Sequence, residues 1–310
     1  MLIASYLLAG LAIVLAWPAP VVLSRMGWTA RSPFTALVLW QAIALAGGLS
    51  MIGALLVWGL EPLGGNLIAA LGGLARVAAG EPGAPPIGPL HVFALSAALL
   101  LGAHLVFTLL LTTYRVGRQR ARHRGLLALL GDPSPANPGT VVLQHHAPVA
   151  YCLPGFNGSL TVLSRGLLDV LDEEGLRAVI AHERAHLEQR HDLLVLAFES
   201  WHQALPWLPT SRLARRAVQE LIEMMADDTA LHQVSAPTLL RALVAVATGD
   251  GTSPAAESGI PGEELSSRRL RRLLSPVGPL PVGARGCVLA VAILLIGAPT
   301  TLLMAPGLLD

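Results

Sequence analysis

Two histidines and a glutamate within five residues have the types and spacing that can do chemistry. His182 and His186 are four residues apart, and Glu183 directly follows the first. On a helix, positions i and i+4 share a face, so both imidazoles can reach one metal ion while the glutamate lies beside it. This spacing is typical of zinc hydrolases, in which zinc activates a water molecule and the glutamate acts as general base. The alternative interpretation is a helix that carries two solvated histidines.

The residues before the motif predict the helix that this chemistry needs. Asp172 is a good N-cap residue, and the two glutamates after it suit the positive end of a helix dipole. Leu176, Val179 and Ile180 then form one apolar face. The motif therefore lies on an amphipathic helix that can be held against a core.

A catalytic zinc site also needs a third protein ligand. Glu188 follows His186 by only two residues and so faces away, which makes a second helix, predicted at about 210–232, the better source. There Glu223 and Asp227 repeat the four-residue spacing. Glu223 can bind zinc while Asp227 accepts the outer N–H of a ligating histidine, although a solvated acidic face is the alternative. The other side chains considered as third ligand are His191, Glu199, His202, Glu220 and His232.

Composition indicates a membrane protein. The 310 residues are 53% hydrophobic and only 13% charged, with a mean hydropathy of +0.60, which is too apolar for an ordinary soluble chain. All 21 basic residues are Arg, and they cluster beside apolar runs, so no nucleic-acid binding is expected. Cys152 and Cys287 predict neither a disulfide framework nor a thiolate zinc site.

Four uncharged apolar runs are long enough to span a bilayer, at residues 2–23, 33–60, 90–114 and 286–309. A cleaved signal peptide is the alternative for the first run, but its first basic residue, Arg25, follows the run instead of preceding it. Residues 61–90 are rich in Gly and Pro and predict an external loop with a short helix at about 66–79. His104, inside the third run, is read either as a relay for protons or signals or, preferably, as an imidazole hydrogen-bonded within the bundle.

The distribution of arginine predicts the orientation. Two arginines lie between runs one and two, five follow run three and five precede run four, against only Arg76 in the loop 61–90. The positive-inside rule then places residues 115–285 in the cytoplasm and both termini outside.

These features predict a mainly α membrane protein with three parts: a three-helix transmembrane region (1–114), a cytoplasmic α+β zinc peptidase domain (115–285) and a fourth transmembrane helix (286–310). The peptidase part should begin with an Arg-rich helix and contain short strands, one of which could add a substrate strand at its edge. The apolar segment 191–208 is expected either against the inner membrane face or as a core helix. The remaining expectations are a turn-rich break at 131–139, strands at 141–143, 149–153 and 159–163, and a flexible loop at 248–262.

The two metal motifs resemble those of membrane gluzincin peptidases. His182-Glu-Arg-Ala-His186, followed 37 residues later by Glu223-Met-Met-Ala-Asp227, is similar to the HtpX-like, CAAX-prenyl and BlaR/MecR-type proteases. The order of spans resembles the bacterial BlaR/MecR regulatory peptidases most. So do Leu163-Ser-Arg-Gly-Leu-Leu168, leading into Leu171-Asp-Glu-Glu174, and Arg268-Arg-Leu-Arg-Arg-Leu-Leu274.

This resemblance implies a multi-pass protein of the bacterial plasma membrane that binds one zinc ion. Its ligands would be His182, His186 and Glu223, with Glu183 as base and Asp227 behind a ligand. Asp310 closes the chain soon after the fourth run, so we expect no penicillin-binding sensor domain and no beta-lactam sensing. The oxyanion-stabilising residue stays open among His145, His146, His232 and Arg269.

By resemblance, the substrate would be a cytoplasmic transcriptional repressor cut in a signalling pathway, with self-cleavage as an accompaniment. An HtpX-like quality-control protease is the first alternative. A non-enzymatic receptor with a structural zinc is the alternative from another class.

Overall fold

The computed structural model describes residues 1–133, 139–155, 158–248 and 266–304. It is mainly helical with one small sheet. The helices are α1 (Leu2–Ala16), α2 (Pro18–Arg25), α3 (Pro33–Leu60), α4 (Leu67–Ala78), α5 (Pro89–Leu130), α6 (Arg165–Val170), α7 (Glu173–Glu188), α8 (His191–Ala204), α9 (Pro209–Ala230), α10 (Ala236–Thr248), α11 (Ser267–Leu274) and α12 (Val282–Met304). The strands are β1 (Gly131–Pro133), β2 (Thr140–Leu143), β3 (Ala150–Leu153) and β4 (Leu160–Ser164).

Four helical segments of the described chain are long and apolar enough to cross a membrane, and they overlap the four predicted runs. The first consists of α1 and α2, which are separated at Trp17 because Pro18 lacks a backbone N–H and starts a new helix. The others are α3, extended by one turn at Glu61–Leu63, α5 and α12. The short helix expected in the loop is α4, and its N-cap Asn66 accepts a hydrogen bond from the Ala69 amide.

Helix α3 is the centre of the apolar bundle, with α1, α5 and α12 packed around it. Close approach to α5 depends on Gly59, because a Cβ there would lie 2.7 Å from Cγ of Leu95. Buried side chains follow one stripe of α3 at spacings of three, four and seven residues, which is the pattern of a helix that packs on its neighbours: Ala36, Trp40, Ile43, Ala46, Ser50 and Val57.

Helix α5 is a single helix of 42 residues and therefore about 63 Å long. The predicted third span and the predicted Arg-rich helix are thus one continuous element. Its arginine-rich half contacts the sheet, where Nε2 of His123 lies 2.7 Å from the Tyr151 hydroxyl. It also contacts the start of α8, because Arg120 donates a 2.8 Å hydrogen bond to Asp192.

The sheet has the strand order β1-β2-β4-β3, with β2 and β4 parallel and the two outer pairs antiparallel. Three strands lie within a residue of their predicted positions. The expectation of a turn at the start of 131–139 was wrong, because residues 131–133 pair with β2 as strand β1. Gly131 permits this pairing, since a Cβ there would clash with Cγ1 of Val141. Residues 134–138 lie outside the described part.

The remaining helices pack as one layer against the sheet and the bundle. Helix α7 contacts β3, α9 and α10, and α9 in turn packs on α3 and α2. Helix α10, to which the sequence analysis assigned no element, buries Leu239 and Leu243 against α7. The loop predicted at 248–262 lies outside the described residues apart from Thr248, the last residue of α10.

Candidate metal centre

Helix α7 carries the first motif. Its N-cap Asp172 accepts a 2.7 Å hydrogen bond from the Gly175 amide, as the sequence predicts. Ala178, Val179 and Ala185 are buried on the apolar face, which holds the helix against its neighbours. The helix ends at Glu188, and the chain reverses through Arg190, whose φ of 50° lies in the left-handed region. This tight turn brings α8 back beside the motif.

Helix α9 carries the second motif across from α7. Pro209 occupies its first turn, where the missing N–H costs nothing, and Ala226 and Ala230 are fully buried. Such small side chains allow α7 and α9 to approach closely. Glu223 and Asp227 therefore lie opposite the two histidines.

His182, His186 and Glu223 bring three ligand atoms together, and we refer to these residues as the metal triad. Nε2 of His182 lies 3.3 Å from Nε2 of His186 and 3.3 Å from Oε2 of Glu223. Nε2 of His186 lies 3.6 Å from Oε1 of Glu223. Ligands about 2.0–2.1 Å from a tetrahedral zinc ion are about 3.3–3.4 Å apart, so this donor set fits zinc.

Asp227 lies behind the first histidine. Its Oδ1 is 3.2 Å from Nδ1 of His182, and both side chains are only 1% exposed. A proton on Nδ1, shared with this carboxylate, leaves the lone pair of Nε2 directed at the metal position. Asp227 thus lies next to one of the histidines whose tautomer it was predicted to fix, and that role stays a prediction.

His191 lies behind the second histidine. Its Nδ1 is 3.0 Å from Nδ1 of His186, and its Nε2 is 3.0 Å from Oε1 of Gln189. The Gln189 amide nitrogen donates to the Thr229 hydroxyl, which leaves its oxygen as the acceptor for His191. Burial, together with the charge of His186, lowers the pKa of His191 to about 4, so this imidazole is neutral. The sequence analysis considered His191 only as a ligand, whereas it contacts a ligand.

Arg269 of α11 contacts two acidic residues of the site. Its guanidinium donates to both carboxylate oxygens of Asp227 at 2.6 and 2.8 Å, and its Nη1 lies 3.0 Å from Oε2 of Glu223. The side chain is only 1% exposed. A buried charge of this kind is tolerated because it is paired with carboxylates. Arg269 was one of four open candidates for oxyanion stabilisation, and it contacts both of these carboxylates and, at 3.4 Å through Nη2, the Nε2 of His182.

The charges around the two carboxylates keep both ionised. Burial by itself would raise the pKa of Glu223, but the contact with His182 and the nearby positive charges lower it to about 2. Burial also opposes ionisation of Asp227, and its hydrogen bonds from Arg269 and His182 lower the pKa of this group. Glu223 is therefore available as an anionic ligand at neutral pH.

Glu183 lies on the sheet side of α7 and is 7% exposed. Burial, together with the negative charge of Glu183, raises the pKa of Cys152 on strand β3 to about 11. The Glu183 carboxylate therefore lies near this strand. The Cys152 thiol is therefore protonated at neutral pH.

The other residues weighed as third ligand have different surroundings. Glu188 is exposed, Glu199 pairs with Arg215, and Glu220 binds Ser266 and Arg268. His202 is 3.3 Å from the Ser211 hydroxyl, and Nδ1 of His232 is 2.7 Å from the backbone oxygen of Asp228. Among the remaining oxyanion candidates, His145 accepts from the Ala147 amide and His146 is exposed.

Residues 118–242 match peptidase family M48. No curated protein and no solved structure matches the chain. The matched region runs from the arginine-rich half of α5 to α10 and includes the metal triad, Glu183 and Asp227, whereas Arg269 lies beyond it. Peptidases of this family are zinc metalloproteases, so the match supports a gluzincin-type metallopeptidase in this part of the chain.

Proposed function

We propose that this protein is an integral membrane zinc metalloendopeptidase that cuts a cytoplasmic protein by limited proteolysis. The observation that carries the proposal is the metal triad, whose three ligand atoms have the spacing of a tetrahedral zinc site beside Glu183. The match to peptidase family M48 supports the same activity. The four candidate spans support a membrane location.

The residues of the site have separate roles in this mechanism. Zinc, when bound by the triad, supplies Lewis-acid activation of water and of the scissile carbonyl. Glu183 takes the proton from the attacking water and then gives it to the leaving amine. Asp227 and His191 hold the two ligating imidazoles in the tautomer that presents Nε2. His182, Glu183 and Asp227 are buried, which strengthens the electrostatic interactions of these side chains.

Strand β3 is where the substrate would bind. It pairs with β4 on one side and forms one edge of the four-stranded sheet, next to Glu183. An extended peptide can add to such an edge through main-chain hydrogen bonds. This geometry would place a scissile bond alongside α7.

The cellular role rests on the arginine distribution and on the resemblance to BlaR/MecR-type peptidases. The positive-inside rule places the site in the cytoplasm and both termini outside. A cytoplasmic repressor is then the favoured substrate in a signalling pathway. Self-cleavage would accompany it.

The test is Glu183→Gln in the full-length protein. A glutamine cannot accept the proton, so peptide cleavage should fall by about 10²–10⁴-fold. Zinc content should stay at one ion per chain, because the triad is unchanged. Purified wild-type and variant proteins in lipid nanodiscs would be compared by metal analysis and by a peptide-library cleavage assay. Undiminished cleavage by the variant would refute the assignment.

The same variant identifies the substrate in cells. Quantitative proteomics of wild-type and Glu183→Gln strains should show one cytoplasmic protein that accumulates uncut. Accumulation of many membrane proteins would instead favour an HtpX-like quality-control protease. Normal signalling by the variant, with no protein accumulating, would favour a receptor with a structural zinc.

A further inference from the structure

We propose that the turn between α8 and α9 is a re-entrant hairpin that lies within the bilayer, with Trp207 in contact with lipid acyl chains. We refer to residues 204–211 as the corner. From the sequence, the segment 191–208 could lie either against the membrane face or in the core. The contacts of the corner with two candidate spans indicate its depth.

The third span gives the first measure of depth. Nε2 of His104 lies 3.0 Å from the backbone oxygen of Ala204, and Leu205 packs with Leu101 and Leu105 of the same helix. His104 is eleven residues before Arg115, the first charge after this span. Eleven helical residues correspond to about 16 Å. We refer to the depth of Arg25 and Arg115, the first charged residues after the first and third spans, as the arginine level. Ala204 therefore lies about 16 Å deeper in the bilayer than the arginine level.

The first span gives an independent measure. The Thr210 hydroxyl donates a 2.7 Å hydrogen bond to the backbone oxygen of Leu15. Leu15 is ten residues before Arg25, which corresponds to about 15 Å along α1 and α2. Two separate spans, the first and the third, thus place the corner at the same level. With a hydrocarbon core of about 30 Å, that level is near the middle of the bilayer.

The second span supports this placement. Ala214 and Val218 lie in the turns of α9 that follow the corner. They belong to the same buried cluster as Trp40 and Ile43 of α3. The first half of α9 therefore runs beside the arginine-side half of this span. A corner in the aqueous phase would lie beyond Arg25 and Arg115 and could make none of these contacts.

The corner also meets the backbone requirement of hydrocarbon, where unpaired polar groups are costly. The Ser211 hydroxyl contacts the backbone oxygens of Leu205 and Leu208 at 2.7 and 2.9 Å. The Leu205 amide donates to the Trp201 oxygen. Pro206 and Pro209 have no N–H to satisfy. The Leu205 amide and the backbone oxygens of Leu205 and Leu208 are thus bonded within the protein.

Pro206 and Trp207 are the residues of the corner that the protein leaves exposed. Trp207 is 71% exposed, whereas Leu205 and Leu208 on either side are 5% exposed. A large apolar side chain at this depth faces acyl chains. The exposed Arg212 is two residues beyond Thr210, and its long side chain can extend towards the headgroups.

Cysteine labelling of the full-length protein in liposomes tests the proposal. Trp207→Cys is introduced after Cys152 and Cys287 are changed to Ser, and Val170→Cys, 59% exposed on α6, is the matched control. A membrane-impermeant maleimide should label Val170→Cys at least about tenfold faster than Trp207→Cys before detergent is added. An environment-sensitive fluorophore attached at residue 207 should be quenched by lipids with a spin label on the acyl chain and not by aqueous iodide.

Two results would overturn the proposal. Equal labelling of both cysteines in intact liposomes, with iodide quenching at residue 207, would place the corner in water. Protection of residue 207 that persists in detergent, without quenching by spin-labelled lipid, would place it inside the protein. Matching gel-filtration profiles and zinc content of the two variants would show that both are folded.

Discussion

At the residue scale, each histidine of the triad has a partner behind it that sets its tautomer. Asp227 accepts from Nδ1 of His182, and His191 accepts from Nδ1 of His186. Nδ1 of a neutral imidazole accepts a hydrogen bond only if the ring proton is on Nε2. In His191 the proton is on Nε2, because this atom donates to the side-chain oxygen of Gln189. One histidine is therefore backed by a carboxylate and the other by a chain of neutral groups.

His191 should matter for metal affinity rather than for folding alone. We expect His191→Leu to weaken zinc binding by about 10–100-fold, because Nδ1 of His186 loses its acceptor. His191→Asn is the control, since its side-chain oxygen can occupy the position of the imidazole Nδ1 and should restore most of the affinity. Zinc affinity would be measured by competition with a chelating dye. Equal affinities of the two variants would contradict a positioning role.

At the element scale, α11 is joined to the site by a single buried side chain. Arg269 binds both Asp227 and Glu223 of α9. It therefore attaches α11, a short helix outside the region that matches the family, to these two acidic residues. On the same helix Arg272 pairs with Asp228, which is 40% exposed, so that contact is screened by water. The buried pair is therefore the principal electrostatic tie between α11 and α9.

Removing that side chain should destabilise the protein strongly. Arg269→Leu leaves Asp227 buried without its cation, and loss of one partner of a buried pair costs about 3–5 kcal/mol. Arg271→Leu, two residues along the same helix and exposed, should change stability little. Thermal unfolding of both variants in nanodiscs would check this. Similar midpoints would contradict a structural role for the Arg269 ion pair.

At the scale of the whole molecule, the depth of the corner determines how far the metal triad lies from the bilayer. Glu223 is thirteen residues after Thr210, or about 20 Å along α9. If the corner lies about 15 Å deep, as proposed, the triad is about 5 Å outside the arginine level. Continuous α5 also joins the third span to β3 and α8, through His123 and Arg120. The peptidase part is thus built onto the bundle rather than linked to it by a flexible segment.

A site so close to the surface should prefer substrates held near the membrane. Once the proteomic comparison has identified a substrate, its cleaved segment can be anchored to liposomes through a spacer of about 10 or about 60 residues. The short spacer should be cut faster, because the effective concentration is highest when the spacer matches the distance to the site. Faster cutting with the long spacer would place the active site far from the bilayer.

Much of this protein follows from local patterns in the sequence. The four-residue spacings of His182 with His186 and of Glu223 with Asp227 predict two helices that each carry a pair of such side chains on one face, because helical geometry depends on near neighbours alone. The apolar runs likewise predict the candidate spans, since their length is set by the bilayer. The short strands were found within a residue, except β1, whose pairing depends on a distant contact with Val141.

Only the tertiary structure decided which partners complete the site. Arg269 is 42 residues from Asp227, and nothing local distinguishes it from the neighbouring arginines of α11. The contact of His191 depends on the turn at Arg190, and the depth of the corner depends on bonds to Leu15 and His104 from distant helices. Periodicity reports the face on which a side chain lies, whereas the group it meets there is determined by how separate elements pack.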